Sequence, residues 1–188
     1  MESGTDRTAL AATRLPEWFR ARSPREILQR LANGDPLGLR LRTSAYLERH
    51  AYLLEADALH LRAMAVIARA SPRMRGPAEA EAWLEERIAE AATELIEEPV
   101  RYPSEASAFE QLARPLGLDP CSLRRACARF NQLPEPERQA FFGIVIRRQS
   151  IEALALARGE SALDTGRRAR RVLDLFLNPA APEGVRES

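Results

Sequence analysis

An all-α fold is predicted by three observations: apolar residues recur with helical period along the chain, valine and isoleucine are sparse, and helix-start and helix-stop signals punctuate the sequence. No alternating apolar stretch reads as a strand. With 188 residues, 45% of them hydrophobic and 29% charged, the chain can bury one sizeable core or two small ones. The breakers divide it into a tail (1–22), a helical domain (23–98), a short linker (99–105), a second helical domain carrying a helix-turn-helix (106–177) and a final tail (178–188).

Trp18 and Phe19 are expected to pack on the first domain. Ser23-Pro24-Arg25-Glu26 is a capping box with proline at the first helical position, predicting a helix to about Ala32 that stops at Asn33-Gly34. Ile27, Leu28 and Leu31 form its apolar face. Beyond Asp35-Pro36 comes a helical stretch with Leu39 and Tyr46. Leu47, Leu54 and Leu61, one heptad apart and joined by Ala51, Ala58 and Ala65, predict a longer helix continuing from it. Ser71-Pro72 and Gly76-Pro77 interrupt the pattern, and Ala78–Glu97 resumes it with Leu84, Ile88, Ala91 and Leu95 on one side and glutamates on the other.

Pro99, Pro103 and Ser104 mark the linker. In the second domain Ala106–Ala113 reads as helix, Pro115-Leu116-Gly117 breaks it, and Asp119-Pro120 starts the next over Cys121–Phe130. From Leu133 to Leu173 the pattern gives a helix, a short helix, a glycine turn at Gly159 and an arginine-loaded last helix.

No apolar run approaches the roughly 20 residues that span a bilayer. Met1–Arg14 lacks the continuous apolar stretch of a secretory signal, so a cytoplasmic protein with no membrane partner is expected. All 28 basic residues are arginine, which beside the abundant alanine points to a GC-rich genome rather than to guanidinium chemistry. The formal charge of +1 conceals an asymmetry. Eight glutamates between Glu79 and Glu98 face only Arg87, whereas eight arginines between Arg138 and Arg171 face Glu152, Glu160 and Asp164. Such a basic end suits a polyanion.

Cys121 and Cys127, six apart on a predicted helix, point to different faces and read as structural thiols rather than a bridge or metal pair. His50 and His60 lie far from them, so no zinc set emerges. Glu85, Glu86, Glu90 and Glu94 lack a histidine with which to converge and read as a solvated face. There is no Gly-rich phosphate loop, nucleophile elbow or Cys/His pair; neither an enzyme nor a cofactor is expected.

Two helix-turn-helix candidates remain. Phe109–Arg125, with Pro115-Leu116-Gly117-Leu118 at its centre, reads rather as an ordinary helical hairpin. The second runs from Ile151–Leu156 through Gly159 into Ser161–Leu173. There Ser161 caps the last helix, so that Asp164, Thr165, Arg167 and Arg168 lie on its first turns, where a groove helix reads bases, with Arg170 and Arg171 behind them for phosphates. The alternative is a solvated charged face. Gly166, in mid-helix, costs about 1 kcal/mol relative to alanine and suggests a close approach.

Leu133-Pro134, Arg138, the apolar run Ala140–Ile146, Ser150, Glu152, Leu154-Ala155, Gly159 and Ser161 resemble region four of the sigma-70 family of transcription initiation factors. Glu26–Tyr46 resembles the start of region two in the short extracytoplasmic-function branch, and Ala82-Trp83-Leu84 with Ile88-Ala89 the helix that closes it. The likeness spans about residues 23–177 in the family's order. It implies a DNA-binding, bacterial transcription initiation protein that recruits core RNA polymerase to promoters. Ser161 and Asp164–Arg171 would then enter the groove of the upstream element on double-stranded DNA. Glu55, Asp57, Leu59 and Arg62 would face the polymerase, and an anti-sigma or other regulatory protein would be a further partner. The alternative is a sigma-like helical interaction module that does not bind promoter DNA, its Ala78–Glu97 glutamates suiting a basic partner.

Overall fold

The computed structural model describes residues 19, 22–73, 80–98 and 119–177. The expected first tail, including Trp18 but apart from Phe19 and Arg22, the expected final tail, the 99–105 linker, the Ala106–Ala113 helix and the body of the first helix-turn-helix candidate lie outside the described residues. Among the described residues the fold is all-α and contains no strand. Its helices are α1 (Pro24–Ala32), α2 (Leu39–His50), α3 (Ala56–Ala70), α4 (Ala80–Glu97), α5 (Pro120–Asn131), α6 (Glu135–Phe141), α7 (Ile151–Arg158) and α8 (Ala162–Leu177). The chain divides into two compact units, one of Met1–Thr43 with Asp57–Leu95, the other of Ser44–Ala56 with Ile96–Ser188.

In the first unit the capping box forms as the sequence predicts. The Ser23 hydroxyl accepts from the Glu26 amide, and the Glu26 carboxylate accepts from the Ser23 amide at 2.9 Å, which holds its carboxyl below the ordinary value. Asp35, at φ +46°, caps α2 by accepting from the amides of Leu39 and Arg40 at 2.6 and 3.0 Å. The core joins Phe19, Ile27 and Leu31 to Leu37, Leu39, Met64, Ile67 and Leu84, with Trp83 set edge-on to Phe19 at 5.8 Å. Each fully buried leucine here contributes about 1.5–3 kcal/mol. Buried Arg42 donates from Nε to the Leu37 carbonyl and grips Glu81 with both ends of its fork at 2.6 and 3.0 Å.

The α4 glutamates are not simply a solvated face. Arg69 of α3 reaches Glu90 and Glu94 at 3.0 and 2.6 Å, Arg62 reaches Glu94 at 3.2 Å, and Arg87 bonds Glu86 and Glu90. Arg69 thereby holds the Glu94 carboxyl below its ordinary value. The clasp ties α4 to α3 and offsets much of the charge that the sequence leaves unbalanced.

The single helix expected through Leu47, Leu54 and Leu61 does not form. After His50 the backbone turns at Ala51, with φ +53°, and Tyr52 N–H donates back to the Leu47 carbonyl at 3.0 Å, a helix-ending bond. The extended residues that follow are held from far along the chain. Leu53 N–H donates to Asn131 Oδ1 at 2.7 Å, and Asn131 Nδ2 donates to the Leu53 carbonyl at 3.0 Å. Leu47 is buried but Leu61 is 61% exposed, so the heptad never shares one stripe.

Ser44–Ala56 therefore belongs to the second unit, where Arg138 of α6 is its main anchor. Arg138 is buried, donates to the carbonyls of His50 (3.2 Å) and Leu133, and lies 4.1 Å from the Tyr52 ring centroid. Phe130, Phe141 and Phe176 form an aromatic triangle with centroids 5.2 to 5.9 Å apart, closed by Val172, Leu133 and Leu53. Beyond α6 the chain widens into one π-helical turn, Phe142–Ile146, in which Arg147 N–H donates to the Phe142 carbonyl. Gly143 permits this turn to meet α7, because a Cβ there would stand 2.7 Å from Leu154 Cδ2.

Candidate nucleic-acid interface

The sequence-predicted site lies on α7, a three-residue turn and α8. Ser150 starts α7, its hydroxyl accepting from the Ala153 amide at 3.1 Å. Gly159 ends it in the left-handed region at φ +66°, and Glu160 N–H donates to the Ala155 carbonyl at 3.0 Å. Ser161 then caps α8, accepting from the Asp164 amide at 3.0 Å and donating to the Asp164 carboxylate at 2.7 Å. The buried stripe of α8 is Thr165, Ala169 and Val172.

That stripe decides which predicted residues reach solvent. Ser161, Asp164, Arg167, Arg170 and Arg171 are exposed, and Arg168 is half-buried. Thr165 is not available to a groove: it is completely buried, its hydroxyl directed at Glu160 at 3.4 Å. One turn on from Ser161 along a helix whose inward side starts at Thr165, this position packs rather than reads. Asp164, Arg167, Arg168, Arg170 and Arg171 line one recess of about 480 Å³.

Carboxylates inside the unit hold most of this positive charge. Glu160 binds Arg168 at 2.6 Å and Arg158 at 3.4 Å, Asp174 binds Arg170 at 3.2 Å, and Glu137 binds Arg171 at 3.3 Å. Burial tends to raise the Glu160 carboxyl, but the Arg168 bond and the charges of Arg158 and Arg168 outweigh it and leave it below the ordinary value. Arg147 pairs with Glu48, and Arg138 serves the core. Among the described residues, only Arg148 and Arg167 of the eight arginines from Arg138 to Arg171 make no such bond. The helix thus carries ordered guanidinium groups rather than a bare cationic surface.

Two apolar side chains flank the turn: Leu156 is 84% exposed and Leu163 is 63% exposed. Sequence reading passes over them, although their spacing from the buried Leu154-Ala155 and Thr165 positions puts them on the outward sides of their helices. Cys127 is buried, which pushes its thiol up to about 11, while Cys121 is half-buried.

The residues expected to face a polymerase are differently placed. Leu59 is wholly buried in the first unit, so it is a core residue and cannot form a docking contact. Asp57 is exposed and pairs with Arg40 at 2.8 Å, and Arg62 is half-buried against Glu94. Glu55 is half-buried and belongs to the second unit. No helix among the described residues is long and apolar enough to cross a membrane. The chain matches no protein-family model, no curated protein and no solved structure.

Proposed function

We propose that α7, its turn and α8 form a DNA-binding helix-turn-helix, and that the protein acts as a sigma-like initiation factor which brings core RNA polymerase to a promoter. The observation that carries the reading is the outward side of α8. After a Gly159–Ser161 turn the helix starts on a hydroxyl cap and presents Arg167, Arg170 and Arg171 to solvent, with Arg168 beside them. Phosphates compete well for such groups, because each exposed intramolecular pair is worth only about 0–1 kcal/mol. The polymerase and promoter parts of the proposal rest on the sigma-70 resemblance.

Its test uses the full chain and a 20-base-pair duplex pool. The Arg167→Ala, Arg168→Ala double variant should bind the pool about tenfold or more weakly at 50 mM salt, and purified core polymerase should co-sediment with the native protein. Equal binding by the double variant removes α8 as the reader. A second reading, a helical interaction module without DNA, is favoured by Leu156, whose 84% exposure suits a protein contact better than a phosphate. Under that reading Leu156→Glu abolishes partner binding, while native protein leaves the duplex free.

A further inference from the structure

The outward stripe of α8 is not uniform. Leu163 and Arg167 lie one turn apart on it, and both face away from the buried Thr165–Ala169–Val172 stripe. Leu163 is 63% exposed on a helix whose packing it does not serve. Arg168, Arg170 and Arg171 each hold a carboxylate within 3.3 Å, whereas Arg167 makes no ion pair among the described residues. Of these four arginines, Arg167 alone offers its fork without first giving up a carboxylate.

An unengaged guanidinium fork matches the paired acceptors O6 and N7 of guanine, and an exposed apolar side chain matches the 5-methyl group of thymine. One helical turn rises about 5.4 Å. Base pairs stack about 3.4 Å apart, so neighbouring groups on the helix meet base pairs one or two steps apart. We infer, on the reading of α8 as a groove helix, that Leu163 and Arg167 set the sequence preference of the protein: Arg167 reads a guanine, and Leu163 reads a thymine one or two base pairs from it. Arg170 and Arg171, exchanging Asp174 and Glu137 for phosphates, fix the helix on the backbone without choosing the sequence.

The test starts with selection of the full chain against a randomised 20-base-pair duplex library, then measures affinity for the selected duplex. The selected sequence should contain a guanine with a thymine one or two base pairs away. Arg167→Ala should lose the guanine preference and bind the selected duplex about ten- to a hundredfold more weakly. Arg167→Lys, which keeps the charge but not the planar fork, should weaken that preference while keeping its salt dependence. Replacing the selected thymine by uracil removes only the methyl group, and should weaken the native protein about fourfold and Leu163→Ala hardly at all. Selection of the same sequence by all variants, or an equal uracil effect on native and Leu163→Ala protein, overturns the inference. Library binding without enrichment overturns it too but leaves groove binding standing, whereas failure to bind any duplex removes both.

Discussion

Replacing Arg138 with methionine keeps most of the side-chain volume but removes the guanidinium bonds by which α6 holds the end of α2, leaving the Gln139 side chain bonded to the Arg49 carbonyl. Two charge-assisted bonds are lost, to the carbonyls of His50 and Leu133, each worth about 1.5–3 kcal/mol. Contact with Tyr52 at 4.1 Å adds about 0.5–2 kcal/mol. Part of this returns, because a buried methionine needs no desolvation of charge. The expected net loss is about 2–4 kcal/mol, or roughly 5–15 °C in melting temperature for a chain of this length. Urea unfolding followed by helical ellipticity measures it, with near-ultraviolet ellipticity reporting the Tyr46 and Tyr52 surroundings. Arg138→Lys, which retains charge but cannot fork between the two carbonyls, should lose about half as much. A loss below about 0.5 kcal/mol for the methionine variant refutes the assigned role, since single surface changes alone reach that size.

Gly166→Ala should stabilise the protein by about 1 kcal/mol: the added Cβ would sit 3.7 Å from Ile151 Cδ1, an ordinary contact, so only the helix penalty of glycine is removed. A lower melting temperature in a thermal scan would show a closer approach than this. Glu26, Glu94 and Glu160 all have carboxyls below their ordinary value of 4.5, and a lowered folded value means stability present above pH 4.5 and lost as the pH falls below it. Equilibrium unfolding from pH 6 to pH 3 should trace that decline, with a shallower decline in Glu160→Gln; a flat profile contradicts the assigned ion pairs. Cys127, its thiol raised to about 11 by burial, should resist iodoacetamide at pH 8 in the folded protein while half-buried Cys121 reacts, as peptide mass mapping would reveal.

What the sequence revealed was local. Ser23 with Glu26, Asp119 before Pro120, Gly159 and Ser161 each act on residues within a few positions, and each stands where its spacing predicts. The break after His50 was illegible because no glycine or proline marks it. Its cause is Asn131, 78 residues from Leu53, and Arg138, 88 residues from His50. At the candidate site, Arg170 with Asp174 was readable from its i, i+4 spacing, but Glu137 with Arg171 depends on how α6 meets α8. Thr165 was misplaced for a related reason. A cap fixes where a helix begins and leaves open which side it buries; here Ala169 and Val172 settle that side.

The salt dependence of duplex binding tests the central claim most directly. Fluorescence anisotropy of a labelled 20-base-pair duplex, titrated with native protein and with the Arg167→Ala, Arg170→Ala, Arg171→Ala variant between 50 and 200 mM salt, gives the slope of log affinity against log salt. With about 0.9 of a counterion released per phosphate contact, and Arg170 and Arg171 as the phosphate contacts, the triple variant should show a slope shallower by about 2. Equal slopes for the two proteins, or no binding by native protein at 50 mM salt, would contradict the placement of α8 on DNA.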